Sequence, residues 1–504
     1  MTTIFPRASG ILLHPTSLPG RYGIGDLGEW ATTFVDWLAE AGQSYWQILP
    51  LGPTSYGDSP YQTLSALAGN TLLISLDKLA ENGWLTEDDL ADVPDFPIYW
   101  VDFGPVIEYH QQMLAKAYQG FKAHAAESER TAFANWCQAN AGWLDDYALF
   151  AALKNAHGGR PWTEWPVGEG LRDPQALEAA RAKHAEAIEE RRFLQWQFAV
   201  QWSAVKTYAN SKGIRLIGDI PIFIAHDSSD VWANRDLFYL DEKGMPTVVA
   251  GVPPDYFSVT GQRWGNPLYR WDKLKKTGYR WWLERIKAVL GQVDIARVDH
   301  FRGFAGYWEI PASEPTAVIG QWVDGPGTDF FQVVQDELGK LPIIAEDLGV
   351  ITPEVVALRD QFELPGMRIL QFAWGGAAKE NHFLPHNHIQ NCVVYTGTHD
   401  NNTTLGWYLG GEADEASKQY ITDYVGHDIQ EPHWDMIRLG MMSVANTFVM
   451  PLQDVFGFGE DTRMNTPGKE SGNWGWRVGP EWFESDARHR LAHMTHIFAR
   501  WPEA

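Results

Sequence analysis

Short apolar runs, each followed by a polar corner and then usually by a helical pattern, recur along the whole chain. Alternation of strands with helices is typical of parallel sheets, because each parallel connection has to return to the starting end of the sheet. Eight such runs predict an α/β fold, a (β/α)8 TIM barrel, in which functional side chains lie at the carboxyl ends of the strands. The predicted strands are residues 10–14, 44–51, 215–223, 293–299, 341–347, 367–372, 392–399 and 444–455.

The first helical pattern follows the first predicted strand. Asp26 and Glu29 have the D-x-x-E spacing of a capping box, apolar residues recur on one face from Leu27 to Ala41, and Gly42 supplies the stop. A second strand pattern begins at once, so this part of the chain is predicted to form a βαβ unit.

The predicted strands are unevenly spaced. Residues 76–205, between the second and third strands, are rich in Ala and Glu and predict a large, mostly helical insertion. Residues 224–290, between the third and fourth, include a stretch rich in Gly, Pro and aromatic residues at 250–271 and predict a loop-rich insertion that contributes to the substrate cleft. We see no fixed-period repeat and no linker, and we predict one catalytic domain over residues 1–504.

Charge and composition exclude several classes of partner. Forty basic and 64 acidic side chains give a formal net charge of −24, without a long basic run, which argues against nucleic acid or an anionic membrane surface. We expect neither a signal peptide nor a membrane span, since no run of about 18 apolar residues occurs. Two cysteines, Cys137 and Cys392, are typical of a reducing compartment and predict a cytoplasmic enzyme.

Tryptophan is unusually frequent, at 25 of 504 residues. Large flat rings fill cores, and they also stack on the apolar faces of sugar rings. Core packing is the better explanation for any single tryptophan, whereas the excess as a whole indicates a carbohydrate ligand.

Charged side chains interrupt the fourth predicted strand, VDIARVDHF at 293–301. Arg297 and Asp299 are two positions apart and therefore point to the same side, at the end of the strand where a barrel has its active site. Buried charges are costly unless they are paired. On this segment alone, a structural ion pair and a functional site are equally good interpretations.

Two more predicted strands end in carboxylates. LPIIAEDLG ends with Glu346 and Asp347, and CVVYTGTHDNNTT contains His399 and Asp400. A helix cap or a surface turn explains each motif alone. It explains less well why three strands of one barrel each end in a carboxylate.

Hydrolysis or transfer of a glycoside with retention of configuration needs several carboxyl groups around one sugar. One carboxylate must be ionised to act as the nucleophile, and a second must be protonated near neutral pH to act as acid and then as base. Arg297 would keep Asp299 ionised by charge pairing. Dry or like-charged surroundings would raise the pKa of the acid.

Several longer motifs make the chain resemble the 4-alpha-glucanotransferases, also called amylomaltases or disproportionating enzymes, of glycoside hydrolase family 77 in the alpha-amylase clan. The resemblance runs nearly end to end, and it implies a barrel without a separate C-terminal β-domain, no cofactor and no metal ion. The motifs are GILLHPTSLPG (10–20), YGDSPYQ (56–62), GDIPIFIAHDSSDVW (218–232), GVPPDYFSVTGQRWGNP (251–267), RVDHFRGF (297–304), AEDLG (345–349), GTHDNNTT (397–404) and NTPGKESGNWGWR (465–477).

The resemblance implies roles by position. Asp299 would be the nucleophile, Glu346 the general acid/base and Asp400 the stabiliser of the transition state. Arg297 and His399 match the residues that position the nucleophile and hydrogen-bond the sugar at the cleavage subsite.

Five further positions match substrate-binding residues. Tyr61 would stack on that sugar, although a core tyrosine is the alternative. Asp219 matches the first clan motif and is expected to support the pocket. His300 would contact an acceptor sugar or support the site from behind. Trp264 and Asn465, in two loops over the cleft, would contact the glucan.

The implied activity is transfer of α-1,4-glucan segments from maltooligosaccharides or glucans to another glucan or to glucose. From the residues alone, a retaining α-glucan hydrolase stays open, because both reactions share the first step; the resemblance favours transfer. A metal-dependent barrel enzyme and a glucan-binding protein without turnover are rival classes. Arg297 argues against the metal, because a cation site would repel it. Lys469 stands where the family frequently has threonine, which affects the expected acceptor preference.

Overall fold

A computed structural model describes residues 5–254 and 258–501 of the 504-residue chain. Residues 255–257, which belong to the predicted cleft loop, lie outside the described residues. Within the described ranges the strands are β1 (Ala8–Leu12), β2 (Tyr45–Gln47), β3 (Arg215–Pro221), β4 (Val248–Val252), β5 (Gln262–Pro267), β6 (Ile295–Asp299), β7 (Gly306–Pro311), β8 (Gln321–Asp324), β9 (Ile343–Ala345), β10 (Gly366–Ile369), β11 (Cys392–Tyr395) and β12 (Thr447–Pro451).

Eight of these strands form a parallel sheet in the order β10-β11-β12-β1-β2-β3-β6-β9. The Ala345 N–H at the end of β9 donates to the Pro365 carbonyl just before β10, at 2.9 Å, so the two outer strands also meet. The sheet is therefore a nearly closed barrel, and each of the eight predicted strands overlaps one of its strands. The predicted TIM-barrel fold is confirmed.

The barrel strands are buried along almost their whole length, β1, β9, β10, β11 and β12 at every position. Helices cover the outer face of a parallel barrel, so its strands have no solvent-facing side. This burial explains why they appear in the sequence as nearly continuous apolar runs.

Helices connect and cover the strands. Those in the described part of the chain are α1 (Glu29–Glu40), α2 (Leu76–Glu81), α3 (Phe103–His124), α4 (Glu127–Ala156), α5 (Val167–Gly170), α6 (Pro174–Lys183), α7 (Ala185–Ser211), α8 (Ser229–Ala233), α9 (Trp271–Lys276), α10 (Arg280–Gln292), α11 (Gly327–Leu338), α12 (Pro353–Gln361), α13 (Thr404–Leu409), α14 (Glu415–Val425), α15 (Pro432–Met442), α16 (Leu452–Phe456) and α17 (Ala487–Ile497). None of them is long and apolar enough to cross a membrane.

The capping box predicted for the first helix is wrong. Helix α1 begins at Glu29 with Gly28 at its N-cap. The Asp26 carboxylate is buried and accepts the Gly28 N–H at 2.8 Å, which is the geometry of an Asx turn and not of a cap. Gly42 follows the helix with a φ of +69°, a left-handed conformation that glycine adopts without strain.

A helical layer, α2 to α7, fills the chain between β2 and β3. The longest members, α3, α4 and α7, pack through aromatic rings: the centroid of Phe121 on α3 is 4.8 Å from that of Phe193 on α7 and 5.5 Å from that of Phe133 on α4. The layer shares this apolar core with the barrel.

A second sheet, antiparallel in the order β5-β4-β7-β8, stands beside the barrel. Two of its strands come from the segment predicted to be loop-rich and two from the connection between β6 and β9. Sequence reasoning missed them because β5 shows no alternation: Gln262 and Arg263 are exposed, Asn266 and Pro267 are buried, and Gly265 has a φ of +81°. Trp264 consequently lies on a strand and not, as predicted, in a loop.

Candidate active site

The carboxyl ends of neighbouring barrel strands bring the predicted polar residues to one rim. Asp219 on β3 is the direct ladder partner of Arg297 on β6, and Arg297 in turn pairs with Ile344 on β9. Glu346 follows β9 immediately. Because the strands are parallel, residues distant in sequence meet at this end of the barrel.

Arg297 joins two carboxylates. Its Nη1 donates to Asp219 Oδ2 at 2.5 Å, and its Nη2 donates to Asp299 Oδ1 at 2.8 Å. The side chains of Arg297 and Asp219 are 4% and 0% exposed, whereas that of Asp299 is 31% exposed. Burial alone would lower the pKa of Arg297, but the two carboxylates raise it. The guanidinium therefore stays charged and leaves the outer carboxylate, Asp299, facing the cleft.

Asp219 is the fully buried partner of Arg297, on the side away from the cleft. Burial, with a smaller contribution from the negative charge of Asp299, raises the pKa of Asp219 to about 7, while Arg297 and Tyr61 oppose the change. Its Oδ1 is buried without a hydrogen-bond partner among the described residues. These contacts fit support of the pocket rather than contact with a sugar.

Glu346 has the environment of an acid. Burial in the first place, and the charge of Asp299 in the second, raise the pKa of Glu346 to about 8. Its Oε2 accepts the His300 N–H at 2.6 Å and its Oε1 accepts the Leu348 N–H at 2.8 Å. These two bonds hold the carboxyl group in place. A carboxyl group with this pKa is mostly protonated at neutral pH.

The neighbouring residue, Asp347, points the other way. It pairs with Arg359 at 2.5 Å and accepts the Met367 N–H at 2.7 Å. Successive residues of an extended chain face opposite sides, so only Glu346 of the EDL motif faces the site.

His300 links the acid to the second sheet. Its φ of +51° is left-handed, which directs its N–H to Glu346, and its ring lies edge-on to Trp264 with centroids 4.8 Å apart. Burial lowers the pKa of His300 to about 4, so the imidazole is neutral near pH 7. Its Nε2 is buried and has no partner in the described part of the chain.

Asp400 lies at the opposite side of the rim, beyond β11, and its side chain is 47% exposed. The Asn465 side-chain amide donates to Asp400 Oδ1 at 2.6 Å, and the Asn465 backbone N–H donates to the His399 carbonyl at 3.1 Å. His399 Nε2 lies 3.5 Å from Asp400 Oδ2. Burial lowers the pKa of His399, although Asp400 opposes the change.

Tyr61 contacts both Asp219, at the end of β3, and His399, beyond β11. Its hydroxyl donates to Asp219 Oδ2 at 2.9 Å, and its ring stacks on His399, with centroids 5.1 Å apart and planes at 13°. Burial and the nearby Asp219 charge raise the pKa of Tyr61, so the phenol keeps its proton. Stacking of Tyr61 on a sugar stays a prediction.

Two residues at the site were not singled out from the sequence. Trp474 is buried, has a left-handed φ of +66°, and lies 6.0 Å from the Tyr61 ring and 5.9 Å from the His399 ring. His14 is buried near His399, and burial lowers the pKa of His14 to about 3. Both belong to motifs quoted above, GILLHPTSLPG and NTPGKESGNWGWR, which was the available signal.

The arrangement can perform acid/base and nucleophilic chemistry at a single centre. It combines a carboxylate paired with arginine, a buried carboxyl group with a raised pKa, and a third carboxylate held by an amide. The guanidinium of Arg297 supplies the positive charge that lies between Asp219 and Asp299.

Comparison with known proteins identifies the family. The glycoside hydrolase family 77 model, described as 4-alpha-glucanotransferase, matches residues 13–481. The 4-alpha-glucanotransferase of Thermus thermophilus is 52% identical over 98% of this chain and 99% of its own, and that of Synechocystis sp. is 50% identical over 98% of each.

Solved structures agree with this result. The amylomaltase of Streptococcus agalactiae, in complex with acarbose, has a TM-score of 0.95 and 38% identity, and the match covers 98% of this chain and 100% of that one. The Corynebacterium glutamicum amylomaltase, 19% identical with a TM-score of 0.80 over 97% of this chain and 75% of that one, shares the fold. The chain therefore belongs to the 4-alpha-glucanotransferases of glycoside hydrolase family 77.

Proposed function

We propose that this protein moves α-1,4-glucan segments from a donor maltooligosaccharide or glucan to the 4-OH of an acceptor glucan or glucose, with retention of configuration. The observation that carries the proposal is that the site contains two carboxyl groups in different environments. Asp299 forms an ion pair with Arg297, whereas Glu346 is buried and has a pKa of about 8. A retaining mechanism needs one ionised and one protonated carboxyl group.

In the first step the Asp299 carboxylate attacks the anomeric carbon. The glycosidic C1–O bond breaks, and Glu346 gives its proton to the departing oxygen. A covalent glycosyl-enzyme of inverted configuration results. We expect the two carboxyl groups to lie about 5–5.5 Å apart in the substrate complex, as this step requires.

In the second step the acceptor 4-OH attacks the same carbon while Glu346, now ionised, takes its proton. The bond to Asp299 breaks and the original configuration returns. Asp400, held by Asn465, would bind sugar hydroxyls through both steps. Tyr61 would stack on the same sugar and His399 would hydrogen-bond it, while Trp264 and His300 would contact the acceptor side.

Hydrolysis differs only in the second attacker, which would be water. Transfer prevails if an acceptor is held in line while water is kept out. The second sheet, which brings Trp264 against His300, supports an enclosed acceptor side.

Incubation with pure maltotriose tests the function. We expect products both shorter and longer than the substrate, separated by size. Products that are only shorter would identify a hydrolase instead. Loss of activity on addition of EDTA would favour the metal-dependent alternative.

The nucleophile is tested by Asp299→Asn. We expect turnover to fall by several orders of magnitude because the covalent intermediate cannot form. Asp88→Asn, at the exposed first residue of the short 3-10 helix Asp88–Leu90, is the matched control and should keep full activity. Unchanged turnover in Asp299→Asn, with the same circular dichroism spectrum as the parent, would contradict the assignment.

We also propose a cytoplasmic location. Cys137 and Cys392 are both unpaired, which fits a reducing compartment. Fractionation of cells that express the chain tests this, and activity confined to an extracytoplasmic fraction would contradict it.

A further inference from the structure

A cavity of about 710 Å³ lies in the outer wall of the barrel, between the helical layer and helix α10. Its volume falls in the range of about 300–1,000 Å³ typical of small-molecule sites. Helix α4 contributes Asn140 and Trp143, the segment after α5 contributes Arg172, and α10 contributes Trp281 and Glu284. None of these residues belongs to the candidate active site, so the cavity is a separate feature.

Two partly exposed tryptophans line the cavity, one from each wall. Trp281 lies edge-on to Trp282 with centroids 5.7 Å apart. The Trp143 indole N–H donates to Asn140 Oδ1 at 3.3 Å, and its ring contacts Tyr147 at 6.2 Å. Both rings are therefore held in position before a ligand arrives, which lowers the entropic cost of binding. Flat rings of this kind pack on apolar ligand faces.

The charges around the cavity are largely balanced. Arg172 pairs with Asp146 at 2.7 Å, and Arg280 pairs with Glu284 at 2.9 Å. A third arginine, Arg235, donates to the Leu171 carbonyl at 2.9 Å, and the adjacent Asp236, which also lines the cavity, lies 3.7 Å from Lys273. The whole chain has a net charge of −24. These features favour a neutral ligand over an anion.

Arg172 is held firmly in the cavity wall. Its guanidinium stacks on the Trp232 ring at 4.1 Å, and its backbone has a left-handed φ of +62°. Its Nη1 is buried without a hydrogen-bond partner among the described residues. The Arg172 side chain is 20% exposed, so a ligand oxygen can reach the accessible part of the guanidinium but not the buried Nη1.

We propose that this cavity is a second binding site for α-1,4-glucan, separate from the catalytic cleft. A glucan is neutral, presents apolar ring faces to the tryptophans and carries hydroxyl oxygens for Arg172. The choice of ligand rests on the proposed function. Leu67, in the same segment as Tyr61, also lines the cavity. A long chain bound here would stay tethered to the protein and raise the local concentration of glucan at the cleft, whereas a trisaccharide is too short to occupy both places.

Gly142, on the α4 wall, allows the cavity to be blocked without disturbing the fold. A Cβ atom at this position meets no atom within 4 Å, and glutamine has a higher helix propensity than glycine. Gly142→Gln therefore places a side chain in the cavity. Gly104→Gln is the matched control, because Gly104 is an exposed helical glycine in α3 with equally open surroundings. Trp281→Ala removes one platform as a second, independent change.

The measurement is steady-state kinetics on long-chain amylose and on maltotriose, with mobility in native gels that contain glycogen. We expect Gly142→Gln and Trp281→Ala to raise KM for amylose about tenfold and to lose retardation by glycogen. Maltotriose kinetics should stay unchanged in both variants, and Gly104→Gln should match the parent throughout.

An unchanged KM for amylose in both variants, or an equal rise in KM for maltotriose, would overturn the second site. Competition by inorganic phosphate for glycogen retardation would also overturn it and would indicate an anion site. Failure of the parent protein to elongate maltotriose would instead overturn the proposed function, so the two failures are distinguishable.

Discussion

Replacement of the acid/base residue by glutamine should change the stability of the fold with a sign that depends on pH. Burial and the charge of Asp299 raise the pKa of Glu346 from 4.5 to about 8. The folded protein therefore binds this proton more tightly than the unfolded chain does. The resulting stabilisation is fully present below about pH 4.5 and is lost as the pH rises through about 8.

The magnitude follows from the size of the shift. By linkage, ionisation of Glu346 in the unfolded chain lowers the free energy of unfolding of the parent protein by about 3 kcal/mol at pH 7 and by about 5 kcal/mol at pH 9, relative to low pH. Glu346→Gln cannot ionise, so it avoids this loss. Both Glu346 oxygens accept a backbone N–H, from His300 and Leu348. The glutamine NH2 group is a donor that would face one of these donors, which costs about 1–3 kcal/mol at every pH.

We therefore expect Glu346→Gln to be inactive and yet more stable than the parent by about 2–4 kcal/mol at pH 9. At pH 5 it should be less stable by about 1 kcal/mol, because the parent carboxyl group is then protonated in the folded state. Denaturant unfolding at pH 5, 7 and 9, followed by tryptophan fluorescence, measures the difference through the midpoint and the slope.

The control is Glu242→Gln, at an exposed turn, which should change the free energy of unfolding by less than about 0.5 kcal/mol at all three pH values. A stability difference between Glu346→Gln and the parent that is constant with pH, or that shrinks as the pH rises, would refute the reasoning.

Three further predictions concern the same site. The initial rate of maltotriose disproportionation should fall as the pH rises through about 8, since Glu346 then loses the proton that it must donate; a rate that is flat from pH 7 to 10 would contradict this. Arg297→Met should abolish transfer and lower the free energy of unfolding by about 3–5 kcal/mol, because two carboxylates lose their partner; equilibrium unfolding at pH 8 measures the loss, and a difference below about 1 kcal/mol would count against it. Asn465→Ala should reduce turnover about tenfold by releasing Asp400, with an unchanged melting temperature; parental turnover would show that the 2.6 Å bond has no catalytic role.

Much of the fold follows from local pattern. The eight strands were predictable because a strand buried on both faces must be apolar along its length, and a parallel connection needs a helix or a long crossover. The spacing of Arg297 and Asp299 predicted that both face one side, and they form a 2.8 Å ion pair. The second sheet escaped prediction because its strands show no clear alternation of buried and exposed residues, and because its central pair, β4 with β7, joins segments far apart in the chain.

The sequence by itself determined which residue types occupy the strand ends, and through its motifs it indicated the family. Only the tertiary structure decided which of these residues meet. The hydroxyl of Tyr61 reaches Asp219, 158 positions away, and Trp474 lies against His399. The raised pKa of Glu346 and the lowered pKa of His300 likewise depend on the space around each group. Solvent exclusion and charge at a few ångströms set these properties, and both arise only when separate segments pack together.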